Sequence, residues 1–447
     1  MKRRMFSLSL VLALVLLALS SVVAQEVVPI TIRCKSSPPE EDWRCNAFTE
    51  VEAQVEADLG VDIELTLIQD NLDWGDYIQE FALASEAGQA PDIQLSGHEQ
   101  IGDWAPAGFV MPLDDLIAEY PIFEDVVPAL WASQQYLGVT YGVPQDAEAR
   151  PVYYSKLLLA DLGWSDEEIE SLPDRVAAGE FTFEDLIAVA AEAIEEGVVE
   201  EGNGYWHRPS QGPDFLYYYY GMGGDILDMD GNMVVDRAAL QRVYELLGGM
   251  TAEGVMRPDI LGQDWNTLWH PGVCSAETVL FAAGGTWNVG NWTGGGYCDN
   301  LGGYDYILEN IGIMLPPAMD AGNALTLTHP LSYMISSSSE HPDVAMALIA
   351  AVTAPEINNL HAVDSFHLGI TNAQLETEAY QGDPWLSKAH YMLDYTTSLP
   401  NHPGWTAWSN AYYTGIQAVE SGDATPEEAA DIAIAQMENE IMGLVVQ

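Results

Sequence analysis

The chain has 447 residues, with 68 Asp and Glu against 14 Lys and Arg, a formal charge of −54, and 48% apolar residues. A surface this acidic repels nucleic acid and anionic lipid, which removes both as partners. The composition is that of a globular chain, and the length exceeds what one core usually serves, so two lobes are expected.

Lys2, Arg3 and Arg4 precede the apolar run Leu8 to Leu19, and Val22-Val23-Ala24 offers small residues for a signal-peptidase cut. Residues 1–24 are therefore predicted to be a signal peptide, with export to the periplasm or the extracellular space. No cysteine stands at that junction to carry a lipid, and no later run reaches membrane-spanning length. Val28 to Arg33 alternates as a first strand. Phe48, Val51, Val55 and Leu59 then recur at helical spacing up to a Gly60 cap. Val61, Ile63, Leu65 and Leu67 alternate as a second strand, and a helix over about 74–87 stops at Gly88, where Pro91 bars its resumption. Asp92 to Ser96 reads as a strand opening into the polar turn Gly97-His98-Glu99-Gln100-Ile101-Gly102. Polar groups just past a strand's C-terminal end sit where open α/β sheets bind ligands. The alternation of strands and helices predicts a mostly parallel sheet covered by helices.

Further on, Leu137 to Pro144 approaches a crossing between lobes as a hairpin, and Pro151 to Lys156 is the strand beyond it. Ser165 with Glu168, and Thr182 with Asp185, have capping-box spacing. Gly223 to Val234 reads as a hairpin around Asp228 to Gly231, since Asp228 and Asp230 supply too few oxygens for a calcium loop. Ile311 to Pro316 and Phe366 to Thr371 read as the second and third crossings. Thr425-Pro426-Glu427-Glu428 combines an N-cap, Pro at the first helical position and a capping-box Glu, with Ala429, Ile432, Ala433, Met437 and Ile441 as the buried stripe.

Four cysteines, Cys34, Cys45, Cys274 and Cys298, allow three pairings. Proximity favours Cys34 with Cys45 and Cys274 with Cys298 in an oxidising compartment, with free thiols as the alternative. Zinc binding by them would need closer spacing such as C-x-x-C. His98-Glu99-Gln100-Ile101-Gly102 starts like a zinc-protease helix but has Gly where the second His must stand. No G-x-S-x-G, Walker or G-x-G-x-x-G motif occurs, so no catalytic residue, metal or cofactor is expected. Thirteen Trp and 21 Tyr are the informative excess. Aromatic faces stack on the C–H faces of sugars while carboxylates and amides take the hydroxyls, although large two-lobe proteins also use Trp as core.

The order Ala87-Gly88-Gln89-Ala90-Pro91-Asp92-Ile93, a polar turn, then Ala107-Gly108-Phe109 to Leu113-Asp114-Asp115 resembles the N-terminal lobe of family 1 extracellular solute-binding proteins, the maltose-binding-protein group. Tyr141 to Pro144, Tyr153 to Lys156, Phe181 to Leu186, Phe281 to Trp292, Ile311 to Pro316 and Glu340 to Glu356 match in the same order. The resemblance implies an α/β, periplasmic-binding-protein type II-like fold: two lobes with mixed central sheets joined by three hinge crossings. It places the first lobe at 26–147 plus 314–366 and the second at 148–313 plus 367–447. It implies a monomer that captures a carbohydrate, expected to be an oligosaccharide, by hinge closure and delivers it to the membrane permease of an ATP-binding-cassette (ABC) importer. The alternatives are a polyamine, thiamine or iron ligand on the same fold, or a secreted carbohydrate-active enzyme. Residue by residue, it implies ligand contacts from Glu99 and His98 at the turn and from Glu148, eight residues before Lys156. On the second lobe it implies a stacking Trp292, with Trp287 as competitor, and the late pair Trp405 and Trp408. Trp43, Gln211 and Asp214 are further candidates.

Overall fold

The computed structural model describes residues 27–36, 41–320 and 322–447, so the expected signal peptide at 1–24 lies outside the described residues. The β-branched run Val27–Lys35 forms β1, and its inward residues Val28, Ile30 and Ile32 are buried. Trp43–Leu59 forms α1, ended by Gly60 at φ 71°, and Asp62–Asp70 forms β2, which runs parallel to β1 in the register Ile30↔Leu65. Helix α2, Trp74–Glu86, leads to β3, Ile93–Gly97, whose five residues are all buried. With β4 at Val143–Pro144 and β10 at Leu331–Ile335, these strands form one sheet in the order β2-β1-β3-β10-β4, with β10 antiparallel to β3.

The second sheet has the order β8-β5-β7-β6, from β5 (Val152–Ser155), β6 (Tyr205–Trp206), β7 (Phe281–Ala283) and β8 (Ile311–Met314). β5 runs antiparallel to both its neighbours, with Tyr153 opposite Ala282 and Ile313, and β7 runs parallel to β6. Each sheet is therefore mixed. Met314 pairs with Val152 in this second sheet, although it was expected to open the first lobe's returning segment.

Residues 145–151, and on the return 315–320 and 322–330, lie between the strands of the two sheets. β9, Thr326–Leu327, pairs with β11, Thr396–Thr397, beside these connections. Phe366, at φ 58°, ends the helix Pro355–Ser365, and Leu368 then bridges Ala147. The chain was expected to pass to the second lobe from 367. Instead Gln374 hydrogen-bonds Asn358 and Thr377 accepts from Asn359, so amide side chains hold this stretch on the 355–365 helix. Trp385, stacked on Tyr153 at 5.9 Å, is where it packs on the second sheet.

Cys34 is paired with Cys45 and Cys274 with Cys298, at Cα separations of 5.7 and 5.9 Å. The first pair ties the end of β1 to α1. Capping boxes form at Ser165/Glu168, Thr182/Asp185 and Thr425/Glu428. Asp228 Oδ1 accepts from the backbone of Asp230 and Asn232, so this carboxylate shapes a turn. On the helix Pro426–Glu440, Ala429, Ala433 and Met437 are buried, but Ile432 is 49% exposed. Its place in the stripe is taken by Ala430 and Ile434, because the buried face advances in steps of four and leaves 432 on its solvent edge. Among the described residues, no helix is long and apolar enough to cross a membrane.

Candidate functional site

Between the two sheets lies a cleft of about 360 Å³, onto which both sheets and the connections between them project side chains. From the first sheet comes Glu99, in the single helical turn His98–Gln100 that follows β3. Its carboxylate folds back over Gly97, where an added Cβ would lie 2.4 Å from Glu99 Oε2, so a side chain at 97 would push this carboxylate out of its place. His329 stands two residues before β10, and the pairing Leu331↔Gly97 brings it beside Glu99, with Nε2 to Oε2 at 2.6 Å. Trp74, at the start of α2 and 43% exposed, also lines the cleft.

Glu148 and Arg150 come from the first connection and form an ion pair; Arg150 Nε also lies 3.1 Å from Asp214 Oδ1, and Arg208 holds the other oxygen of Asp214. The Arg150 guanidinium sits 4.1 Å from the ring centre of Trp287. The indole itself lies over Gly285, where an added Cβ would collide with it at 1.8 Å. Arg44, on α1, binds Asp146 at 3.1 Å. The chain's 14 Lys and Arg include three before residue 5, so Arg44, Arg150 and Arg208 put three of the remaining eleven into this one cleft.

These charges move one another. Burial alone would raise Glu99, but the charge of His329 and its hydrogen bond bring the carboxyl down to about 2. Burial lowers and Glu99 raises His329, and the net shift is upward. Burial raises Glu148 by more than Arg150 and His329 lower it, and the carboxyl is held at about 7. Because the folded-state value for Glu148 lies above its ordinary 4.5, folding retains a proton that the unfolded chain releases. That contribution is present below about pH 4.5 and is lost as pH rises through about 7. Glu148→Gln is accordingly expected to be more stable than the parent at pH 8 and to lose that part of the pH dependence. Denaturation at pH 5 and pH 8 checks this, and an equal effect at both would refute it.

Of the residues implied by the sequence, Glu99, Glu148, Gln211 and Trp287 line the cleft, and Asp214 lies directly behind it on two arginines. His98 is fully buried beneath, its ring 5.4 Å from that of His329. The others are elsewhere. Trp292 is 0% exposed, packed on Tyr153 at 4.9 Å, with Nε1 donating to His270 Nδ1, because the short helix Asn288–Gly294 turns it into the core. Trp405 and Trp408 stack on each other within the helix Trp405–Glu420, and Trp408 donates to the Val234 carbonyl, so both are core. Trp43 lines a separate groove of about 960 Å³ with Tyr304 and Phe366. Trp74, Arg44, Arg150, Arg208 and His329 were not foreseen. The scarcity of basic residues in so acidic a chain was a usable signal for the arginines; nothing local marked His329.

Residues 49–359 match the family model for bacterial extracellular solute-binding proteins. The chain belongs to that family. This solute-binding protein is 21% identical over 393 residues to a binding protein of Brucella abortus (strain 2308), covering 87% of this chain and 88% of the relative. A 93-residue stretch is 27% identical to the maltotriose-binding protein of Pyrococcus abyssi, 21% of this chain and 20% of that one. Its fold is similar to the GacH receptor of Streptomyces glaucescens, solved unliganded and with acarbose, at a TM-score of 0.71 and 19% identity over 94% of this chain and 99% of that one. It is also similar to the cyclic alpha-maltosyl-1,6-maltose binding protein of Arthrobacter globiformis, at a TM-score of 0.72 and 18% identity over 93% and 99%. At these identities the likeness establishes the α/β, type II binding-protein fold of the solute-binding protein.

Proposed function

We propose that this solute-binding protein captures a carbohydrate, of oligosaccharide size, outside the cytoplasmic membrane and delivers it as a monomer to the permease of an ABC importer. The observation that carries the reading is the cleft itself. Trp74 stands on the first-sheet side and Trp287 on the second, across a cavity rimmed by carboxylates, guanidiniums and the Gln211 amide. That combination suits a neutral, many-hydroxyl ligand, with faces for its rings and charged partners for its hydroxyls. The connections between the sheets serve as hinges, and the solute stabilises the closed state by contacting both sides. The sugar-binding names of similar proteins support the same ligand class.

A thermal-shift screen of residues 25–447 against mono- and oligosaccharides, with spermidine and thiamine as comparators, tests the proposal. A ligand at about 100 times its Kd adds about 2.7 kcal/mol to the folded state. Stabilisation by a cation and by no sugar would overturn the carbohydrate assignment. Cleavage of the stabilising sugar would favour the enzyme instead. Trp74→Ala is expected to weaken sugar binding about tenfold, the worth of one aromatic face. Because this indole is 43% exposed, the melting temperature of the ligand-free protein should not move. Calorimetry showing unchanged affinity would remove Trp74 from the site.

A further inference from the structure

We propose that the inner end of the cleft is a site for a divalent transition-metal ion of the zinc type, with His98 Nε2, a carboxylate oxygen of Glu99 and a nitrogen of His329 as its protein ligands. This goes beyond solute capture and does not depend on which solute the cleft holds. The ligand atoms these three residues offer all lie within 4.8 Å of one another. Two histidines and one carboxylate are a donor set that zinc and its neighbours accept, with a remaining position left for water or for an oxygen of a bound molecule. The site is built on paired strands: His98 and Glu99 follow β3, His329 precedes β10, and Leu331 pairs with Gly97.

The observation that points to a metal is the state of His98. Its side chain is wholly buried, yet Nε2 has no hydrogen-bond partner among the described residues. A buried imidazole nitrogen left alone calls for an explanation. Asn401 supplies it. The amide nitrogen of Asn401 donates to the carbonyls of Ser133 at 2.7 Å and Gln135 at 2.8 Å, which turns its oxygen toward His98 Nδ1 at 2.9 Å. Nδ1 must then carry the proton, and Nε2 presents a free lone pair. An imidazole whose far nitrogen donates to a fixed oxygen is the arrangement in which histidine ligates metals. On the other side, His329 Nδ1 faces Glu148 at 3.7 Å, leaving Nε2 toward Glu99 and the proposed ion.

The molecule contains a useful contrast. Asp146, His361 and His367 also cluster within 4.8 Å, and all three are buried. There, however, the Arg44 guanidinium lies 3.1 Å from Asp146 and 3.5 Å from His367, and Ser365 Oγ bonds both imidazoles. A fixed cation already fills that cluster, and among the described residues neither imidazole there has an orphaned nitrogen. Among the described residues, no guanidinium bonds the His98 set.

The test uses EDTA-treated protein of residues 25–447 in concentrated NaCl, which screens loose ion binding by the acidic surface. ZnCl2 is titrated against a chromogenic chelator, and CoCl2 reports geometry through its visible absorption. One equivalent of zinc and an intense, four- or five-coordinate cobalt spectrum are expected. Asn401→Ala should weaken zinc by about 10- to 100-fold, as loss of an outer-shell partner does. His98→Gln and His329→Gln, which remove ligands, should exceed 100-fold. Should His98→Gln fail to fold, His329→Gln, at the cleft surface, carries the test. Absence of a stoichiometric site, a weak octahedral cobalt spectrum, or zinc affinity unchanged in folded His329→Gln would each overturn the assignment. Sugar-induced stabilisation of the metal-free protein is read separately, so failure here leaves the carbohydrate proposal standing.

Discussion

Truncation of Trp292 to alanine is expected to lower the stability of the ligand-free protein by about 3–5 kcal/mol, the usual result of emptying a fully buried aromatic site. The indole is 0% exposed, lies 4.9 Å from the Tyr153 ring and 6.2 Å from Trp269, and donates to His270 Nδ1 at 3.0 Å. Its loss opens a cavity against the central strand β5 and leaves that histidine acceptor unpaired in a place where burial has already lowered His270 to about 4. Denaturant titration of the unliganded variant measures the effect. Unchanged stability with abolished sugar binding would return Trp292 to the cleft, where family resemblance had placed it.

Arg150→Met is the second large expected effect. Arg150 is 3% exposed and lies between Glu148 and Asp214, both buried, with Trp287 against its guanidinium. Removing it leaves Glu148 buried with only the His329 ring, 3.7 Å away, beside it and Asp214 buried on Arg208, and breaking a buried pair in this way typically costs about 3–5 kcal/mol. The sign with pH follows. Without Arg150 the Glu148 carboxyl, already held above its unfolded value, is raised further, so the folded variant holds that proton to higher pH. Its deficit should be greatest near pH 8 and shrink as pH falls through the raised value. Denaturation curves at pH 8 and pH 5 test this; a pH-independent deficit would mean that lost packing, not charge, dominates. The same variant should bind sugar weakly at pH 8, since Arg150 also positions the Trp287 ring.

Particular residues show how far the sequence could be read. The three capping boxes, the Gly60 helix end and the turn at Asp228 were legible because each depends on residues at most four apart. The place of Glu99 at the cleft came from the family resemblance, which puts a carboxylate in the turn after the third strand. Trp287 and Trp292 were not separable. They are five residues apart, and the rotation of the 288–294 helix, set by packing on β5, alone determines which one faces the cleft. Trp405 and Trp408 fell into the core for a related reason, since the helix carrying them packs on the 237–252 and 426–440 helices. Three residues apart on one helix face, they point inward together.

The sequence by itself determined the two-lobe α/β class, the local caps and turns and the acidic excess, and it favoured one pairing of the four cysteines without excluding the others. Each of these follows from composition or from interactions short in chain distance. Only the tertiary structure decided the composition of the cleft. His329 reaches Glu99 across 230 residues, Arg44 reaches Asp146 across 102, and Asn401 reaches His98 across 303. Those meetings are made by strand register and by chain returning between the sheets, and nothing at either end of such a pair encodes its partner locally.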